Sequence, residues 1–209
     1  MKLNKLLILT GPQGSGNHLW SKVFSSSDLV NGWKQDPTLK WEGHHHEPFS
    51  HWWDDPNKIE DTGKKYNFTS ISCPYFRDKK PHIPKYKDFF SKAKDIYDIQ
   101  LVIIGRDQNI LHHQQERVRG QHTTPKFLDA MQDMYICHKR NFISTELLYL
   151  YKDKYINYVS ELTGFPINSN ITIDEDEFIN LGIDTNKKYI NAVDKQPLDL
   201  EVEKACAES

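Results

Sequence analysis

The chain has 209 residues, 27% charged and 37% hydrophobic, with a formal net charge of −2 at pH 7. That is enough for one domain with a real core, and the near-neutral balance argues against a general nucleic-acid coat, which would be strongly basic. No stretch approaches the roughly 18 to 20 apolar residues of a membrane span, and the opening apolar run, residues 6–9, is shorter than the roughly 7 to 15 residues of a signal-peptide core. The expected compartment is therefore the cytoplasm, and no membrane or nucleic-acid partner is expected.

In chain order, residues 5–10 form a nearly continuous apolar run ended by Gly11-Pro12, which suits a parallel strand buried on both faces. Residues 18–24 read as a helix. Residues 66–72 are rich in aromatic and β-branched types and read as a strand stopped at Pro74. A helix over 87–94, the clear strand 101–104, and helical patterns over 109–119 and 125–142 follow. A last helix closes at Glu161-Leu162 and stops at Gly164. This alternation predicts an α/β fold, a central parallel sheet flanked by helices, in a single domain over 1–209. Residues 174–177 read as an acidic surface turn, and about 190–209 as a docked or flexible tail. Cys73, Cys137 and Cys206 form no CxxC pair and are expected to be reduced thiols.

The first strand runs into Gly11-Pro12-Gln13-Gly14-Ser15-Gly16-Asn17-His18 and then a helix. Glycines let the backbone turn tightly and aim N–H groups inward, and the helix N-terminus adds partial positive charge, so a phosphate or sulfate fits there. The spacing Gly11-x4-Gly16 matches the first half of a Walker A loop. Asn17 and His18 stand where that motif places Lys and Ser/Thr, which disfavours a magnesium-dependent NTPase.

The run Gly14-Ser15-Gly16-Asn17-His18-Leu19-Trp20 resembles the Pro-Gly-Ser-Gly-Asn-Thr-Trp-Leu phosphosulfate loop of carbohydrate sulfotransferases. The resemblance implies a P-loop NTPase-like (sulfotransferase-like) fold and the cofactor 3′-phosphoadenosine 5′-phosphosulfate (PAPS), with PAP as product. It assigns Gly14, Ser15, Gly16, Asn17, His18 and Leu19 to the cofactor, with Gly14 where many relatives carry Lys. Gly105-Arg106-Asp107 resembles the family's strand followed by Arg-Asp-Pro, which makes Arg106 and Gln114, eight positions on, the 3′-phosphate contacts. A guanidinium at a strand's C-terminal end suits bidentate phosphate recognition.

His44-His45-His46-Glu47-Pro48-Phe49-Ser50-His51-Trp52-Trp53-Asp54 resembles the family's Lys-Glu-Pro-His-Phe-Phe-Asp segment, which implies Glu47 as catalytic base. His46 takes the place of the Lys, and His44 and His46 are the substitutes should Glu47 not serve. His18 would help stabilise charge on the bridging oxygen. A metal reading of the histidine run puts His44 and His46 on one face and needs His51 to fold back. The transfer itself requires no metal. Residues 70–76 resemble the family's Glu-Lys-Thr-Pro-x-Tyr-Phe with Ile71 and Ser72 replacing Glu and Lys, and Cys73 reads as a small buried residue. Residues 144–148 with the helix 155–162 resemble the family's C-terminal strand and helix. Trp33, Trp41, Trp52 and Trp53 either line an acceptor pocket or pack the core. Together these imply sulfuryl transfer from PAPS to a hydroxyl of a small-molecule or carbohydrate acceptor. The rival readings are a degenerate nucleotide or small-molecule kinase, which lacks a convincing Walker B aspartate here, and a catalytically inactive nucleotide-binding module.

Overall fold

The computed structural model describes residues 3–32, 49–77 and 80–168. Nine residues, Asn4–Pro12, form β1, and the apolar run predicted there is its core: Leu6, Leu7, Ile8 and Leu9 are all fully buried. A strand buried on both faces must be central, and β1 is. After helix α1 (Asn17–Phe24) come the two-residue strand β2 (Val30–Asn31), helix α2 (Ser50–Asp54), a short 3₁₀ turn and strand β3 (Tyr66–Cys73). A small antiparallel pair, β4 (Tyr75–Arg77) and β5 (Lys80–His82), precedes helix α3 (Tyr86–Ala93) and strand β6 (Tyr97–Gly105). Helices α4 (Gln108–Arg119) and α5 (Thr124–Met134), edge strand β7 (Arg140–Ser144) and helix α6 (Thr145–Thr163) complete the order.

The main sheet runs β2-β3-β1-β6-β7 with every pairing parallel, as the alternation predicts. Period-two alternation divides its side chains between two layers. Leu7, Leu9, Val102 and Ile104 face α1 and α6, packing on Trp20, Phe24, Ile156 and Val159. Leu6, Ile8, Leu101 and Ile103 face the other way, onto Trp52, Trp53, Phe89, Phe127 and Met134 of α2, α3 and α5. Strand order reverses about β1, so the crevice beyond its C-terminal end lies where ligands bind in open α/β sheets. No helix among the described residues is long and apolar enough to cross a membrane.

One element departs from expectation. The helix expected over 125–142 ends at Met134, and residues 140–144 form strand β7 beside β6. Helix α5 buries Phe127, Ala130 and Met134 on one stripe, after which Cys137 turns inward and hydrogen-bonds back to the Met134 carbonyl. At the edge β7 sends Ile143 into the core and leaves Phe142 exposed, so its alternation is too short to outweigh the helical reading. In turn, residues 144–148 are a strand end and the first turn of α6 rather than a strand.

Candidate phosphate-binding site

Strand β1 persists further than the sequence suggests. Gly11 and Pro12 still pair with Ser72 and Cys73 of β3, so the loop proper is Gln13-Gly14-Ser15-Gly16. Gly14 and Gly16 have φ of 86° and 103°, the left-handed region in which a Cβ is strained. Gly11 serves differently: a Cβ there would stand 2.4 Å from Ser15 Oγ, so its missing side chain makes room for the serine.

Three consecutive loop carbonyls are each held from outside. Gln115 Nε2, on α4, donates to the Gln13 carbonyl at 2.9 Å. Arg106 Nη1 donates to the Gly14 carbonyl, and Thr145 Oγ1, at the start of α6, donates to the Ser15 carbonyl at 2.5 Å. In a planar trans peptide the N–H points opposite the C=O, so the N–H groups of Gly14 and Gly16 point away from these anchors. Ser15 N–H closes a turn on the Pro12 carbonyl at 3.1 Å. Gln13 in turn donates from Nε2 to the Pro74 carbonyl at 2.8 Å, fixing the front of the loop to the end of β3.

Helix α1 begins at Gly16 with no side-chain cap and no acidic residue in its first turn, so the positive end of its dipole faces the loop. Asn17 is pinned by its amide nitrogen to Ser72 Oγ at 2.6 Å. Its Oδ1 and the Oγ of Ser15 are buried without a hydrogen-bond partner among the described residues. The Ser15 hydroxyl can donate to an anion, whereas Asn17 Oδ1 is an acceptor and needs a donor instead. With its carbonyls held outward and a helix start behind it, the loop fits a phosphate or sulfate group.

The other expected site residues fall as follows. His18 is exposed on the first turn of α1, whereas Leu19 is buried in the core and offers the loop only its main chain. Arg106 is buried, not a surface residue: it also donates to Gln114 Oε1 at 2.9 Å and lies 3.8 Å from the Glu146 carboxylate. Arg106 and Gln114 are thus brought together, and Gln114 lies over Gly14. Asp107 caps α4, accepting from Asn109 N–H and Ile110 N–H. Glu47, His44 and His46 lie outside the described residues, as do Trp33 and Trp41. Trp52 and Trp53 are core residues, stacked on Phe49 and Phe89 respectively. The cavity beside Trp53, bounded by Ile71, Tyr75 and Arg77, holds about 30 Å³, room for a water or two rather than a sugar ring. Cys73 is buried as expected, and burial pushes its thiol up to about 12.

Sequence reasoning missed the anchors Gln115 and Thr145. It also missed a buried seam of hydroxyls that fastens α1 and β1 to β3: Ser21 Oγ donates to Ser70 Oγ at 2.9 Å, and Thr10 Oγ1 donates to the Ile71 carbonyl at 2.8 Å. Small polar residues at strand ends are the only local signal such contacts leave.

No protein-family model matches the chain, and no curated protein matches it. Among solved structures, the crystal structure of mouse sulfotransferase SULT7A1 complexed with PAP is similar with a TM-score of 0.42 at 10% identity. The match covers 85% of this chain and 63% of that one, so this chain spans less than two thirds of its length. This is a distant structural resemblance to a sulfotransferase.

Proposed function

We propose that the chain is a PAPS-dependent sulfotransferase whose Gln13–His18 loop cradles the 5′-phosphosulfate. The observation that carries this reading is the outward capture of three successive loop carbonyls, which turns the Gly14 and Gly16 N–H groups the other way. PAPS would supply an activated sulfuryl group, and the chain's task is to hold it and to deprotonate a hydroxyl acceptor.

In this reading the N–H groups of Gly14, Gly16 and the first turn of α1, Asn17 among them, take the phosphosulfate oxygens, with the Ser15 hydroxyl completing the set. His18, exposed on that same turn, supplies a further donor to the bridging oxygen. The Arg106–Gln114 pair is assigned to the 3′-phosphate, with Arg106 also bracing the loop. Glu47 is assigned as general base, with His46 or His44 as the alternative. The absence of the Walker Lys and hydroxyl at Asn17 and His18 supports PAPS over ATP.

Isothermal titration of the full chain with PAP, AMP and ATP with magnesium tests this. Preference for PAP is expected. Preference for ATP with magnesium would favour a kinase, and no binding by any of the three would remove the nucleotide reading. PAP binding without transfer to any hydroxyl acceptor in a broad panel of sugars, phenols and alcohols would favour an inactive binding module.

A further inference from the structure

We propose that His112, Glu116 and His122 form a binding site for a divalent transition-metal ion of the zinc class, separate from the phosphate loop. Helix α4 turns Leu111, Gln114 and Gln115 inward and presents His112 and Glu116, one turn apart, to solvent. Gly120, in the left-handed conformation, closes the helix, and the chain returns so that His122 meets Glu116.

Three ligand atoms converge there, all within 4.8 Å of one another. His112 Nε2 lies 3.8 Å from one Glu116 carboxylate oxygen and His122 Nε2 lies 3.5 Å from the other. Those separations exceed the usual N–H···O length of about 2.7–3.2 Å. They come close to the ligand–ligand spacing of about 3.3 Å that tetrahedral geometry sets when metal–ligand bonds are about 2.0–2.1 Å. The two imidazoles stack at 3.7 Å between centroids and 21° between planes, so sharing one ion requires the rings to rotate out of the stack until their in-plane lone pairs converge beside the carboxylate. Side-chain exposures of 54%, 57% and 38% leave all three free to make that rotation.

The donor set selects the ion. Two imidazoles and one carboxylate suit zinc, nickel or copper, whereas magnesium and calcium favour all-oxygen shells. Three protein ligands leave a coordination position open. Beside them lies a cleft of about 590 Å³ bordered by Gln108, Asn109, His113, Thr124 and Leu128, with room for water or a small anion as the fourth ligand. An ion here would also tie α4 to the turn that follows it. Gln115 spans the same junction from inside: its Oε1 accepts from Thr123 N–H at 2.8 Å while its Nε2 holds the Gln13 carbonyl of the phosphate loop.

The test is calorimetric titration of zinc chloride into the chelator-treated full chain, with melting followed in parallel. One ion per chain is expected at this site, with a zinc-dependent rise in Tm, and both should be lost in His112→Gln/His122→Gln. Glu116→Gln alone should weaken binding by more than the roughly 10- to 100-fold that removal of an outer-shell partner costs. His44→Gln/His45→Gln/His46→Gln should keep the ion, because the site uses none of those residues. Zinc binding that survives intact in His112→Gln/His122→Gln, disappears instead in the His44–His46 variant, or is absent from the parent chain overturns the proposal.

Discussion

Replacing Thr145 with Val tests whether outward-held carbonyls shape the phosphate loop. Thr145 is fully buried where β7 passes into α6, and its hydroxyl donates to the Ser15 carbonyl while accepting from Trp20 Nε1 at 3.3 Å. Val keeps the shape and removes both bonds, so no cavity confuses the result. Ser15 and Trp20 are themselves wholly buried, and each stranded group costs about 1–3 kcal/mol. A total of roughly 2–6 kcal/mol, at about 2–4 °C per kcal/mol for a chain of this size, lowers Tm by roughly 4–24 °C. Freed of its anchor, the Ser15–Gly16 peptide can rotate and withdraw the Gly16 N–H from the anion. Losing one hydrogen bond to a charged group, about 1.5–3 kcal/mol, weakens PAP binding roughly 10- to 100-fold. Thr145→Ser keeps the hydroxyl and deletes one methyl, at about 1 kcal/mol, and should retain PAP affinity. Melting by circular dichroism and PAP titration by calorimetry give both readouts. Unaltered PAP affinity in Thr145→Val, or equal damage from Thr145→Ser, would refute the anchoring argument.

Arg106→Ala should weaken PAP and AMP alike by roughly tenfold or more, because the guanidinium supports the Gly14 carbonyl, and any excess loss for PAP measures the 3′-phosphate contact; a loss confined to PAP would show that the brace is dispensable. Gly14→Lys, which would restore the cation many sulfotransferases carry, should loosen rather than tighten PAP binding, since φ is 86° and a Cβ would stand 2.8 Å from Gln114. Gly16→Val should lower Tm as well as abolish binding, its Cβ falling 2.9 Å from Thr145 Oγ1 at a φ of 103°. Cys73, with its thiol pushed up to about 12 by burial, stays protonated around pH 8 and should resist alkylation until denaturant is added, as peptide mapping by mass spectrometry would record. Glu47→Gln should cut turnover by about 10² to 10⁴ with PAP affinity unchanged; survival of activity there, with loss in His46→Ala or His44→Ala, would move the base to an imidazole.

How much was legible in the sequence follows from how local each signal is. The run at residues 5–10 announces a central strand because burial on both faces leaves no polar alternation to disguise it. Strand β6 reads only from Leu101 because its first half, Tyr97-Asp98-Ile99-Gln100, mixes polar residues into a less protected end. The helical pattern over 125–142 runs past the true end of the helix because apolar Ile136 and Phe142 keep up a helical rhythm, yet both are exposed in the structure. The glycine loop was visible as a turn, but its supports were not. Gln115 reaches Gln13 across 102 positions and Thr145 reaches Ser15 across 130, separations at which no pattern in one sequence marks a partner. Arg106 was found from its place after a strand, although its grip on the Gly14 carbonyl could be seen only in three dimensions.

Charge supplies a physical ground for choosing between the nucleotide readings. A Walker A loop meets a triphosphate with a lysine and a magnesium ion because so much negative charge must be neutralised. Among the described residues the cation in contact with the loop is Arg106, and its guanidinium lies 3.8 Å from the Glu146 carboxylate, which offsets part of its field. Glu146 is itself committed, accepting from Asp107 N–H at 3.1 Å and from Ser144 Oγ at 2.9 Å, so it stays beside the arginine. Among the described residues, what remains at the cradle is dipolar: peptide N–H groups, an uncapped helix start and a serine hydroxyl. Fixed dipoles of this kind suit a phosphosulfate, which bears less charge than a triphosphate and needs no metal to be bound. A lysine at Gly14 is disfavoured on a separate ground: the loop is closed on that side by Gln114.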